Sequence, residues 1–381
     1  TNNDYALFDK HITITDKTIS GSLTKKENTT LATFADNENG RAIANALDNT
    51  GDGELFNAVL PMNENDLKTT YQSLGSDMYL NANNASIVNV LGLTRTVKDQ
   101  AIGIGDGRHA QLGNSNARIW ISGMGQWGKT DYGHSDMDVD FYVGLLGAEI
   151  DVTENTKAGL FFGAGSTKYK GNQYGKIDSN DIHIGAYGIS NLYDVASLNY
   201  GFTHTNQDRD AKRTLWIGQT AGYNSTSYEF FLEGAYTQLN TSQYSIEPYA
   251  GFSWLRVSTD NINENVGNMK FTTKTDAQDI QVATVGLRGG YPFMAGNINM
   301  ALKGDISASH LFGDNRPESR LWLSNSGEAS LRGGKLDNLF GVGLGVDAQL
   351  SKSTTFGISY QGQYNSDINS SGINAILKIN F

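Results

Sequence analysis

Cysteine is absent from the 381 residues, and proline occurs only four times. Without thiols there is no disulfide framework and no cysteine-ligated zinc site. A chain that must cross an oxidising compartment unfolded gains from that absence, because no stray disulfide forms. Scarce proline suits a chain in which nearly every backbone N–H must donate a hydrogen bond. No stretch approaches ~18 consecutive apolar residues, which excludes a transmembrane helix. Nor is there an excess of basic charge: the net charge is -11 and the pI near 5.0, which argues against nucleic acid as a partner. Thr1-Asn2-Asn3-Asp4 has no feature of a signal peptide, so the sequence reads as a processed or truncated piece of a longer precursor.

What the chain does have is glycine, 44 residues, and aromatics weighted toward tyrosine (18 Tyr, 16 Phe, 5 Trp). Glycine serves tight turns and small interior-facing positions, and tyrosine suits the interfacial girdle of a membrane barrel. The mean hydropathy of -0.40 is compatible with such a barrel, whose alternating strands average to a polar sequence. The final residues alternate: Ile373, Ala375, Leu377, Ile379 and Phe381 on one parity, and Asn374, Lys378 and Asn380 on the other, with Ile376 the exception. About ten residues of tilted strand cross a bilayer. The same period of two places Phe340, Val342, Leu344, Val346 and Ala348 against Gly341, Gly343, Gly345 and Asp347, and Leu198, Tyr200 and Phe202 against Ser197, Asn199 and Thr203.

Strands are predicted at 116–128, 137–151, 155–169, 179–192, 194–207, 225–239, 243–258, 276–291, 296–311, 335–350, 353–364 and 371–381, about twelve in all. Short connections at 153–154, 193, 241–242, 292–295 and 351–352 alternate with long ones at 129–136, 170–178, 208–224, 259–275, 312–334 and 365–370. Outer-membrane barrels sort their connections in this way, with short periplasmic turns and long extracellular loops. The expected fold class is therefore an all-β transmembrane barrel of about 12 antiparallel strands over 116–381, with its C-terminus in the periplasm.

The first ~115 residues differ. Residues 1–38 are polar, with weak alternation, and read as the end of a β-rich region. Residues 39–115 read as a helical linker. Ala42, Ile43, Ala46 and Leu47 have helical spacing, broken at Gly51-Asp52-Gly53. A second helix spans 65–74, and a third about 84–104, with Asn83 or Asn84 as its N-cap.

A helical segment leading by a glycine-rich linker into such a barrel resembles the translocator of monomeric autotransporters, the type V secretion family. The resemblance covers about 39–381. It is carried by Asn39-Gly40-Arg41-Ala42-Ile43-Ala44-Asn45-Ala46-Leu47-Asp48, by Arg118-Ile119-Trp120-Ile121-Ser122-Gly123-Met124-Gly125-Gln126-Trp127, by the glycine-alternating strands and by Phe381. It implies a monomeric pore in the outer membrane of a Gram-negative bacterium, with a helix threaded through it and an exported N-terminal passenger of its own. It also implies that Leu377, Ile379 and Phe381 are read by the barrel-assembly machinery. A self-cleaving branch of the family cuts its pore helix at an Asn-Asn pair. Asn83-Asn84 is the candidate here, although its neighbours do not match that branch and a cap is the plainer reading.

The candidate pore helix carries Ile87, Leu91, Arg95, Lys98 and Ile102. Glu229, Glu233 and Glu247 lie on the polar parity of adjacent predicted strands, as Arg288, Lys303, Asp305 and Lys378 do elsewhere. A basic residue facing lipid at the midplane costs about 2–4 kcal/mol, so these charges are expected in the lumen, either solvated or paired with Arg95 and Lys98. The six histidines, at 11, 109, 134, 183, 204 and 310, lack metal-ligand spacing. Gly341-x-Gly343-x-Gly345 lacks the strand-to-helix context of a dinucleotide site, and the Gly-Asp-Gly runs at 51–53 and 105–107 lack the further carboxylates of a calcium loop. Neither a catalytic site nor a cofactor is expected. The rival readings are a host-binding adhesin with a residual surface segment and a diffusion porin.

Overall fold

The computed structural model of the protein describes residues 5–75, 77–102, 117–132, 135–171, 175–193, 195–213 and 220–381. It begins with an antiparallel hairpin of β1 (Phe8–Ile14) and β2 (Ile19–Lys25), then a short 3-10 turn at Leu31–Phe34. Four helices follow: α1 (Glu38–Thr50), α2 (Glu54–Val59), α3 (Glu64–Leu74) and α4 (Asp77–Ile102). The expected breaks appear as caps. Asn37 and Asn63 accept from the backbone N–H groups of Gly40 and Asp66, and Gly51 ends α1 in the left-handed conformation.

The remainder forms a closed antiparallel barrel of twelve strands. These are β3 (Ala117–Tyr132), β4 (Ser135–Thr153), β5 (Thr156–Gly171), β6 (Gly175–Leu192), β7 (Ala196–Arg213), β8 (Thr220–Tyr236), β9 (Ser245–Thr259), β12 (Gln278–Ala295), β13 (Ile298–Gly313), β16 (Asn338–Gln349), β17 (Thr354–Tyr364) and β18 (Ile368–Asn380). β18 pairs with β3, Lys378 opposite Trp120, so that no edge is left unpaired. The Phe381 N–H extends this seam to the Ala117 carbonyl at 3.1 Å.

The strands are 11 to 19 residues long, more than the ~9–11 a bilayer needs. Two environments divide their length. In one band the outward side chains are apolar and exposed, among them Leu160, Phe162, Ile184, Phe230, Leu302, Ile306 and Leu344, while the inward ones include Glu229, Glu233 and Asn199. Nearer the long-loop end the pattern inverts. Lys168, Lys170, Asp138 and Asp140 point outward, and Val139, Tyr169, Ile177, Ala211 and Tyr223 are buried inside. That end has the section of a water-soluble barrel. This corrects the expected long loops at 129–136, 170–178 and 208–224. The strands run through most of those residues, and 133–134, 172–174 and 214–219 lie outside the described residues. On the opposite rim the connections are short, as expected, except that 237–244 is longer than the predicted 241–242 turn.

The two longest connections are not loops. They supply β10 (Ile262–Val266), β11 (Met269–Thr275), β14 (Glu318–Leu323) and β15 (Glu328–Arg332), which form a separate four-stranded sheet. Its apolar side, with Phe271, Leu321, Leu323 and Leu331, is covered by Ile43, Leu47, Leu55, Leu67, Tyr71 and other residues of the N-terminal segment. Asp48 accepts from the Leu31 and Ala32 N–H groups, each at 3.1 Å, and Tyr71 donates to the Leu31 carbonyl at 3.0 Å. Burial pushes the Tyr71 phenol well above its usual pKa, which keeps it a donor. Residues 5–75 and the sheet thus form one folded cap at the long-loop end.

Candidate functional site

The helix α4 lies inside the barrel. Its 26 residues span ~39 Å at 1.5 Å per residue, enough to cross the ~30 Å hydrocarbon core and reach the cap. It starts at Asp77, earlier than expected, so Asn83 and Asn84 are interior residues and cap nothing. The reason is that α4 is buried almost all round, which removes the one-sided apolar stripe by which a surface helix is read. Asn83 Oδ1 accepts from Arg209 Nη1 and from Thr259 Oγ1, each at 3.1 Å. Asn84 Nδ2 donates to the Gly334 carbonyl at 2.8 Å. Residues 103–104 of the expected helix lie outside the described residues.

Above the charged section, Ile87 is fully buried among Leu255, Ile280, Val282, Leu311 and Leu336, with Leu91 packed on the same cluster. Beside and below it, Leu93, Val97 and Ala101 meet Trp120, Phe141, Phe161, Tyr187 and Phe231. The parity exception of the last strand, Ile376, packs there from the lumen side. Ile102 is buried at the end of α4. The lumen is therefore not uniformly polar, and α4 is held by apolar contact as well as by charge.

Among the described residues the charges form two pairs between helix and wall. Arg95 Nη2 lies 2.6 Å from Asp305 Oδ1, and Lys98 Nζ lies 2.8 Å from Glu233 Oε2. Glu233 also takes Arg288 at 2.6 Å, and Arg288 reaches Glu247 at 3.2 Å. Of the three expected glutamates, Glu233 ion-pairs with the helix. Glu247 is held by Arg288. Glu229 accepts from the Thr94 hydroxyl, and its Oε1 has no protein partner. It lines a cavity of about 80 Å³ together with Arg95, Lys98, Arg288 and Asp305. Lys303 pairs with Asp347 at 2.5 Å.

Glycine makes the close approach possible at two places. A Cβ on Gly343 of β16 would sit 2.5 Å from Arg95 Nη2, and one on Gly92 of α4 would sit 2.5 Å from Gln126 Oε1. Around Gly92 the wall donates to the helix backbone: Gln361 Nε2 to the Gly92 carbonyl at 3.3 Å, and Gln363 Nε2 to the Val88 carbonyl at 3.2 Å. At the far end Lys378 Nζ donates to the Gln100 carbonyl at 2.7 Å. Lys378 also reaches Glu149 at 3.4 Å, and Glu149 takes Arg118 Nε at 2.7 Å. This cluster bridges the β18–β3 seam on the lumen side.

Sequence reasoning missed Arg118, Glu149, Arg209 and the pairing role of Asp347. The first two share the lumen parity of their strands, a signal that was available. Arg209 fell in a stretch read as loop. Leu377 and Ile379 are half-buried on the outward face of β18, and Phe381 is exposed.

A closed barrel with an apolar outer band, filled by its own helix through matched charges, defines a class: a membrane pore plugged by the segment that precedes it. The autotransporter beta-domain family matches residues 119–361, and the chain belongs to that family of outer-membrane translocators. Two extracellular serine proteases of Serratia marcescens are each 24% identical to it, over 277 and 271 residues. Each match covers 69% of this chain and 26% of the protease, so the chain spans about a quarter of the length of these curated relatives. Among solved structures, the translocator domain of autotransporter NalP from Neisseria meningitidis superposes with a TM-score of 0.64 at 12% identity, over 81% of this chain and 100% of that one. The beta domain of the Bordetella autotransporter BrkA gives 0.55 at 18%, over 70% and 100%. The transport unit of AIDA-I from Escherichia coli gives 0.55 at 13%, over 71% and 91%.

Proposed function

We propose that this outer-membrane barrel exports its own passenger to the cell surface and that α4 stays behind as the plug. The observation that carries this reading is the paired occupancy of the lumen: Arg95 with Asp305 and Lys98 with Glu233. A diffusion porin has no use for a lumen filled by its own helix. The cap lies on the extracellular side and the short turns and C-terminus on the periplasmic side. The support for this orientation is the charged outward face of the strands near the cap, which extends past the apolar band as a surface in water would. The barrel works as a monomer and without catalysis. Protease activity is stated of the relatives, which are much longer chains.

Leu377, Ile379 and Phe381 present the side chains by which the assembly machinery takes up the last strand. They border the β18–β3 seam that closes the barrel, which favours that role. Deleting Phe381 is expected to lower the amount of heat-modifiable barrel in the outer membrane, and unchanged insertion would contradict it. For export, a reporter fused ahead of Thr1 should become accessible to antibody on intact Gram-negative cells. A reporter confined to the periplasm, with the barrel inserted, would contradict it.

A further inference from the structure

The four-stranded sheet of the cap is built by the barrel, from the β9–β12 and β13–β16 connections, yet it is covered by chain that lies ahead of the pore helix. Phe271, Leu321, Leu323, Ala329 and Leu331 are all at most 2% exposed, and the residues that cover them belong to 6–74, with Leu80 added from the first turns of α4. Neither half folds comfortably alone. Uncovered, the sheet would show water a continuous apolar face. Helices as short as α1, α2 and α3, of 13, 6 and 11 residues, are marginal without packing.

The fit is also specific. The Asn39 side chain copies a strand partner at the open edge of β15. Its Nδ2 donates to the Arg332 carbonyl at 2.9 Å, and its Oδ1 accepts from the Arg332 N–H at 2.9 Å. The β14–β15 turn wedges between α1 and α2. Asn325 Oδ1 accepts from the Glu54 N–H at 3.2 Å, and Ser326 Oγ from the Phe56 N–H at 3.4 Å. Gly53, at φ +104°, lies so close to Ser326 that a Cβ would overlap its hydroxyl. Gly327, at φ +107°, lies against the Ala46 carbonyl, where a Cβ would sit at 2.9 Å. The Gly51-Asp52-Gly53 run that resembles a broken calcium loop is the knuckle that receives this turn.

We infer that this sheet is a capture surface for residues 38–75 of the same chain, bare until the segment ahead of α4 emerges and filled before the rest of the passenger follows. The inference rests on the export reading above. Folding of the segment onto the sheet holds on the outside what has reached the outside, and so biases movement outward and seats α4. The partner is the chain itself, recognised by an apolar helix face, one amide at a strand edge and one glycine knuckle.

The test uses the full chain with a reporter ahead of Thr1, followed by pulse-chase as the time from synthesis to surface exposure. Ile43→Asp with Leu47→Asp places charge on the covered face of α1, and Asn39→Leu with Gly53→Val removes the edge pairing and blocks the knuckle. All four positions lie outside the barrel, so heat-modifiable barrel should form at wild-type levels. The expected result is an export time lengthened several-fold in both variants, with export intermediates protected from external protease. Export times equal to wild type in both, in chains that do export, would overturn the inference and leave the cap a static lid. A wild-type chain that keeps the reporter in the periplasm would instead overturn the export reading itself.

Discussion

Arg95 and Asp305 stand 210 positions apart in sequence and 2.6 Å apart in the lumen, Arg95 on α4 and Asp305 on β13. Tyr249 donates to the other Asp305 oxygen at 2.9 Å, which fixes the carboxylate toward the helix. Removing one partner of a well-buried pair costs ~3–5 kcal/mol. Both side chains here retain about 15% exposure, so a smaller cost is expected. Arg95→Ala with Lys98→Ala should leave barrel assembly intact and raise the frequency of open events in planar bilayers. The exchange Arg95→Asp with Asp305→Arg should recover part of the closed behaviour. Equal open frequency in wild type and the double alanine variant would remove charge pairing from the plug.

Gly343→Val tests the space beside that pair. A side chain there displaces the Arg95 guanidinium, because its Cβ alone would lie 2.5 Å from Nη2. Besides Arg95, a Cβ there would meet Asp305 Cβ at 3.4 Å, an ordinary contact, and the backbone is not left-handed. Open events should become more frequent while the heat-modifiable band persists. Behaviour like wild type would mean that Arg95 has room to spare.

Surface labelling tests the orientation. The turn at Gly267, where a Cβ would meet nothing within 4 Å, should accept an epitope that antibody reaches on intact cells. Epitopes at 154–155 or 351–352 should label only after permeabilisation. The reverse pattern would invert the orientation. External protease should cut 260–277 and 314–337 slowly, because those residues are folded and covered, and faster after Ile43→Asp with Leu47→Asp.

Asn83 and Asn84 lie within α4, and the Asn83 carbonyl oxygen is held by Arg209 and Thr259. Their expected role is structural, and the purified chain should show its uncut mass. A fragment beginning at Asn84 would contradict this. Asn83→Ala should lower thermal stability by roughly 1–3 kcal/mol, because it leaves a donor of buried Arg209 unpaired.

The barrel was legible because lipid outside and a wet lumen inside impose a strict period of two, and all twelve predicted strands correspond to barrel strands. The charges of 225–239 and 296–311 fell on the correct face for the same reason. What could not be read follows from departures from that contrast. Asp210, Ala211 and Lys212 alternate as a strand does, but with the sign of a soluble barrel, and so read as loop. The start of α4 was hidden by burial on all sides. The pairing of Arg95 with Asp305 rather than with a glutamate depends on helix rotation and depth in the lumen, which no local pattern records. The sheet of β10, β11, β14 and β15 depends on two distant loops meeting.

The central claim is that α4 closes the pore, and single-channel conductance in planar bilayers tests it most directly. The full chain should show small, infrequent openings. The barrel lacking residues 1–110, which should still fold because the strands close without α4, should show larger and more frequent ones, as a lumen of twelve strands holds water once emptied. Equal conductance with and without those residues would contradict the account.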